Sequence, residues 1–295
     1  MIFAELRAKL FNFRLTYHLR FVLPMVFGFR LTPDGAEYIR MANGEVCANP
    51  YHLRFVLPMV CRDNRYAWVA VTYGSLALAS VLTGVLALQH GLTTQQAVVA
   101  ALLLLGLPSI RFLRIAPVLV DACGLAFALA AAVLWPLYPW AALAVVVLGA
   151  GVSEKVPVFA ALFAWSPWLL VALVVPAVRY AFWDAGPQRE GAHAKAVKEF
   201  NMHSGLKHRA QVWRQASSVA LPWGACLFAL AVPGVWWMAS LAVGMSQLAI
   251  AHDTVRLIQQ CAPAVCVAAA SAIPEAWVLP VLVAHWVNPW MGEGL

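Results

Sequence analysis

Apolar runs alternate with short polar breaks along most of the chain, and the breaks carry helix-ending residues. Runs near 66–88, 95–109, 115–134, 137–151, 155–165, 167–181, 216–231, 234–251 and 262–286 read as helices. Breaks fall at His90-Gly91, Pro136, Ser166-Pro167 and Pro233-Gly234, where helix propagation is poor. Several runs are shorter than the roughly 20 residues that a straight membrane crossing needs. Such runs tilt, stay buried among neighbours or form re-entrant hairpins. A weaker run covers 10–31, where Arg14, His18 and Arg20 must snorkel or face protein.

Composition turns this pattern into a class. Of 295 residues, 63% are hydrophobic and 11% charged. A soluble domain carries nearer a quarter charged residues, and so few charges cannot cover a surface that faces only water. Mean hydropathy is +0.76. The reading is all-α: a polytopic transmembrane helical bundle of about 8–10 spans or half-spans. It is expected to form one integral-membrane domain over 1–295. Within it lie a weak first span (1–31), a polar loop with an amphipathic helix (32–65), a helical bundle (66–181), a second polar loop (182–215) and C-terminal spans (216–286). The N-terminus lacks the uninterrupted apolar core and small-residue site of a cleavable signal peptide.

The net charge of +7 is scattered over short loops, which favours anionic lipids or phosphate-bearing substrates over nucleic acid. Cys123 and Cys226 sit in apolar runs and read as small hydrophobes. Cys47 and Cys61 share a loop and can pair if it faces an oxidising space. YHLRFVLPMV occurs at 17–26 and again at 51–60, with no similarity beyond either end. A recent local duplication fits this better than a structural repeat, which would continue past two copies.

Charge placement divides the connections into two sets. If each run crosses once, with 155–165 and 167–181 taken as a pair, one set comprises 32–65, 110–114, 152–155, 182–215 and 252–257. From Arg30 onward every Lys and Arg lies in or beside it. The turns near 90–94, 135–136, 166 and 232–233 form the other set and contain none. One polar face suits an enzyme working at one membrane surface, whereas a transporter needs polar groups reachable from both.

The candidate chemistry lies on that charged face. Asp34 stands ahead of an amphipathic stretch with Tyr38, Ile39 and Met41 on one side, and is either a general base near lipid or an N-cap. His52 and Arg54 follow, and Arg54 either snorkels or clamps a lipid phosphate. Asp121, about two turns inside an expected span, needs a partner or a purpose. Glu154-Lys155 reads as an interfacial pair, and Glu275, mid-span, as an acceptor for a neighbouring helix. His252 and Arg256 are four apart and share a helical face. His193, His203 and His208 are irregularly spaced in a loop that reads as a solvated cover, so a divalent metal has no ligand pattern to support it. Nucleotide-binding, zinc-protease and serine-hydrolase motifs do not occur.

PDGAEYIRMANGEVCANPYHLRFVLPMV resembles the first extracytoplasmic loop of the GT-C superfamily of integral-membrane glycosyltransferases. The likeness lies in an acidic residue after the first span, a D..Y..(L/M)A pattern and a Pro-aromatic-x-x-Arg-x-x-x-Pro segment. PVLVDACGLAFALAAAVL is similar to that family's span with an embedded Asp, and GAGVSEKVPVFAAL to its charged pair at a span end. AHDTVRLIQQCAP resembles a late His…Arg…Pro element, with Thr254 and Leu257 where some members carry Glu or an aromatic. The resemblance implies a polyprenyl-phosphate-linked sugar as donor and catalysis on the extracytoplasmic face of a plasma or inner membrane. In that reading Asp34 is the general base, and Arg54 and Arg256 hold the lipid phosphate. His52, His252, Asp121, Glu154 and Lys155 line the substrate site. The acceptor is a glycan, lipid or protein, and no cofactor beyond the lipid-linked donor is indicated. Two other readings stay open: a non-catalytic scaffold or assembly subunit, and a transporter or flippase of a lipid-linked or small anionic substrate.

Overall fold

The computed structural model describes residues 33–45, 53–107, 110, 113, 117–182, 221–246 and 259–287. Among these residues every regular element is helical and no strand occurs. The elements are α1 (Pro33–Ala42), α2 (Val56–Cys61), α3 (Arg65–Gln89), α4 (Thr94–Gly106), α5 (Asp121–Leu134), α6 (Pro139–Val152), α7 (Val156–Phe163), α8 (Val174–Phe182), α9 (Val235–Ser246), α10 (Ala262–Ala272) and α11 (Val278–Trp286). A 3-10 segment, Pro167–Leu173, leads into α8, and another, Leu221–Ala231, precedes α9.

Local chemistry ends these helices where the breaks predict. Asn64 caps α3 by accepting from the amides of Tyr66 and Ala67. The helix closes on Gly91, whose φ of +79° lets Leu92 N–H reach the Ala87 carbonyl and Gly91 N–H the Leu88 carbonyl. Thr93 and Gln96 then open α4 with a reciprocal capping box. Prolines at the starts of α6, α7 and α10 meet no missing partner there, because first-turn amides have none within the helix.

Two elements depart from the sequence reading. Within the run at 115–134, residues 117–120 are not helical and α5 starts at Asp121, so this carboxylate opens α5 and does not lie two turns within it. The last run is two helices bent by 115° across Ile273-Pro274. Proline cannot donate the intrahelical bond and restrains the residue before it, which explains the break. Glu275 therefore stands exposed at a corner, not mid-span against a neighbouring helix.

Helix α5 is the hub, packed against α3, α6 and α7, while α10 packs on α4 and the Leu221–Ala231 segment. Both buried helices are rich in Ala, and small side chains let helix backbones approach closely. At the end of α4, His285 Nε2 donates to the Leu103 carbonyl (2.8 Å) and Trp286 Nε1 to the Leu102 carbonyl (3.2 Å). The first of these satisfies a carbonyl that the helix terminus leaves open. His285 Nδ1 accepts from Ala225 N–H, which makes Nε2 the protonated nitrogen. Gly106 makes room for the imidazole: a Cβ there would stand 2.5 Å from Cδ2 of His285. Gly106→Ala is expected to cost roughly 1–3 kcal/mol by overpacking, read as a lowered unfolding temperature of the purified protein. An unchanged temperature would mean that this corner relaxes freely.

Among the described residues, α3 alone is long and apolar enough to cross a membrane by itself, and the bent pair α10–α11 makes a second if counted together. Five further apolar segments have 10–17 residues.

Candidate functional site

The polar residues converge on one end of the bundle. Arg54, just before α2, presents the edge of its guanidinium to Glu154, between α6 and α7. Nε donates to Oε2 at 2.8 Å and Nη2 to Oε1 at 2.6 Å. Nη1 donates to the Tyr38 hydroxyl at 2.8 Å. Tyr38 is buried on the inner face of α1 and stacks on Trp68 with ring centroids 6.1 Å apart. Trp68 Nε1 in turn donates to the Arg62 carbonyl. The amphipathic α1 is thus held by its tyrosine.

Charge and burial reinforce this cluster. Burial alone would raise the Glu154 carboxyl, but Arg54, through its charge and two hydrogen bonds, and neighbouring Lys155 outweigh it and hold the group down to about 2. For Arg54, burial works against the cation, and Glu154 and Tyr38 more than compensate. Burial pushes the Tyr38 hydroxyl upward, so it stays neutral. Because the Glu154 carboxyl titrates lower folded than unfolded, its stabilisation is complete above about pH 4.5 and falls away as pH drops toward about 2. Acid unfolding of the native protein and of Glu154→Gln should therefore converge across that window. Parallel curves would show that the pair does not govern acid stability.

A second polar group adjoins the first. Asp121 Oδ1 accepts from Gln260 Nε2 at 2.8 Å, and Asp121 lies near enough to act electrostatically on Tyr38 and Arg54. Asp121, Ser153, Lys155 and Gln260 line a narrow crevice with apolar walls that include Leu125 and Phe159. Its free space matches about one water molecule.

Of the residues expected from sequence, Arg54, Asp121, Glu154 and Lys155 come together here. Asp34 occupies the first turn of α1, one turn ahead of Tyr38 and half-buried. Since α1 begins at Pro33, Asp34 is a first-turn residue and not the N-cap. Glu154 turns its carboxylate to Arg54, since a planar guanidinium satisfies both oxygens at once, and Lys155 acts on the same carboxylate as a further positive charge. Cys61 is a buried free thiol, and its suggested partner Cys47 lies outside the described residues. His52, His252 and Arg256 also lie outside them, as do the 10–31 run, the first copy of the repeat and the loop histidines.

Gln260 and Ser153 escape sequence reasoning. Their only signal is that each adjoins the end of an apolar run, where a polar residue is ordinary. Tyr38 is legible as part of an amphipathic face, but its phenol–guanidinium bond is not.

The opposite end is assembled from the uncharged turns. His90 stacks on Trp236 with centroids 4.0 Å apart, Trp236 Nε1 donates to the Leu162 carbonyl, and Gln89 donates to the Val133 carbonyl. No protein-family model, curated protein or solved structure matches the chain.

Proposed function

We propose that this chain is a multi-pass glycosyltransferase of the plasma or inner membrane. It moves a sugar from a polyprenyl-phosphate donor to an acceptor hydroxyl at the extracytoplasmic face. One observation carries the reading: Asp34 and the Tyr38–Arg54–Glu154 cluster sit together at one end of an apolar helical bundle. A half-buried carboxylate one helical turn from the tyrosine that binds a buried guanidinium offers a proton acceptor and an anion-stabilising donor at the same end of the bundle.

The membrane part draws on the separation of the two ends and on the exposed surface. Leu137, Tyr138, Trp140, Trp165 and Trp168 are exposed close to the uncharged turns, and Tyr66, Tyr180 and Phe182 close to the charged loops. Aromatic side chains favour both margins of a bilayer. The eight to ten spans or half-spans of the sequence reading belong to this proposal, with the short helices tilted or re-entrant.

In the reaction, the bond from the anomeric carbon to the phosphate oxygen breaks and a bond to the acceptor oxygen forms. Asp34 takes the acceptor proton as the oxygen attacks. Polyprenyl phosphate leaves with its added charge stabilised by Arg54, Lys155 and Arg256. His52 and His252 join the same substrate contacts, and Asp121 the sugar.

The full chain, reconstituted in vesicles with polyprenyl-phosphate-linked radiolabelled hexose and pentose donors, is expected to release polyprenyl phosphate. Intact donor appearing in the opposite leaflet would favour a flippase. No turnover and no movement with any donor would leave a scaffold.

A further inference from the structure

Gln260 presents an unusual combination. Its Nε2 is committed to Asp121, which fixes the orientation of the amide, while its Oε1 is fully buried and has no hydrogen-bond partner among the described residues. Buried acceptors are nearly always matched, so such an atom calls for a donor from elsewhere. Gln260 lines the crevice it shares with Asp121, Ser153 and Lys155.

The lining selects the chemistry of the occupant. A bare anion brings no proton for Oε1 and meets the Asp121 carboxylate. A metal cation meets the Lys155 ammonium. A neutral hydroxyl can donate to Oε1 and accept from Lys155 or Ser153, and the free space matches one group of that size. The apolar wall of Leu125 and Phe159 closes the crevice around that one group, so the rest of the occupant stays outside it.

We propose that the Asp121–Gln260 crevice is a specificity subsite that receives one hydroxyl of a sugar, with Gln260 Oε1 as its acceptor. The assignment to a sugar rests on the glycosyltransferase reading. Gln260→Met keeps the length of the side chain and removes the acceptor, together with the Nε2 donor to Asp121.

Two measurements on the full chain test the proposal. In the first, unfolding temperature in detergent is followed while methyl glucoside, mannoside and galactoside, and their monodeoxy analogues, are titrated. At least one glycoside is expected to raise it saturably. The analogue lacking one particular hydroxyl, and the Gln260→Met protein, should abolish the rise. In the second, Gln260→Met is expected to raise KM roughly tenfold, about one hydrogen bond's worth, with kcat far less affected. The rise falls on the lipid-linked donor if its sugar enters the crevice, and on the acceptor if the acceptor's does.

The deoxy analogues probe the unaltered protein, so a variant that fails to fold does not decide the matter. No response to any glycoside, with KM unchanged in Gln260→Met, overturns the subsite and leaves water as occupant. Glycoside binding without turnover would sink the transferase reading while the subsite stands.

Discussion

Asp34→Asn is expected to slow sugar transfer by roughly 10²–10⁴-fold, the usual contribution of a positioned general base. Asparagine has nearly the same shape, still suits the first turn of a helix and cannot accept the acceptor's proton. The cost in stability should be small, because a carboxylate near a helix N-terminus contributes only about 0.3–1 kcal/mol. Geometry supports the expectation. Asp34 lies four residues before Tyr38 on α1, so both occupy the face that Tyr38 turns toward Arg54. The measurement is kcat with lipid-linked donor, alongside the unfolding temperature. A variant that folds and turns over at the parental rate would return Asp34 to helix-terminus electrostatics and remove it from the chemistry.

The second large effect is on stability. Glu154→Leu leaves the Arg54 guanidinium buried with the Tyr38 hydroxyl as its one hydrogen-bond partner among the described residues. Stranding one member of a buried pair typically costs about 3–5 kcal/mol. The Glu154 side chain is 24% exposed, so water recovers part of that and about 2–4 kcal/mol is expected. Replacing both residues, as Arg54→Met with Glu154→Leu, should restore most of the loss, because an apolar pair of similar volume needs no charge compensation. The double variant also separates structure from catalysis. If Arg54 stabilises the departing phosphate, the protein regains its unfolding temperature and remains slow. Recovery of both would make the pair a purely structural clamp for α1 and α2.

The helical class and most helix limits are legible from local chemistry. His90-Gly91 followed by Thr93 and Gln96 specifies a helix stop and a helix start within a few residues, and the structure forms both. Division of the turns by charge is legible too. Arg54 and Glu154 join two connections of the charged set, and His90, in an uncharged turn, meets Trp236 in the helix that follows another, 232–233. Where local signals compete, the sequence misleads. Asp121 sits inside a continuous apolar run, yet residues 117–120 are not helical and the carboxylate opens α5. Pro274 looks like a tolerable interruption until the 115° bend turns Glu275 outward.

The sequence by itself determined that the chain is helical, where most helices stop and which connections share the charge, because capping, proline geometry and hydropathy act within a few residues. Only the tertiary structure decided which polar groups meet. Arg54 and Glu154 are 100 residues apart, and Asp121 and Gln260 are 139 apart. Periodicity says which face of a helix turns inward, but not at what depth or angle it meets its neighbour. Those are set by close packing around small residues, as where Gly124 of α5 comes against Ser153, and hydrogen bonds tolerate errors of only a few tenths of an ångström.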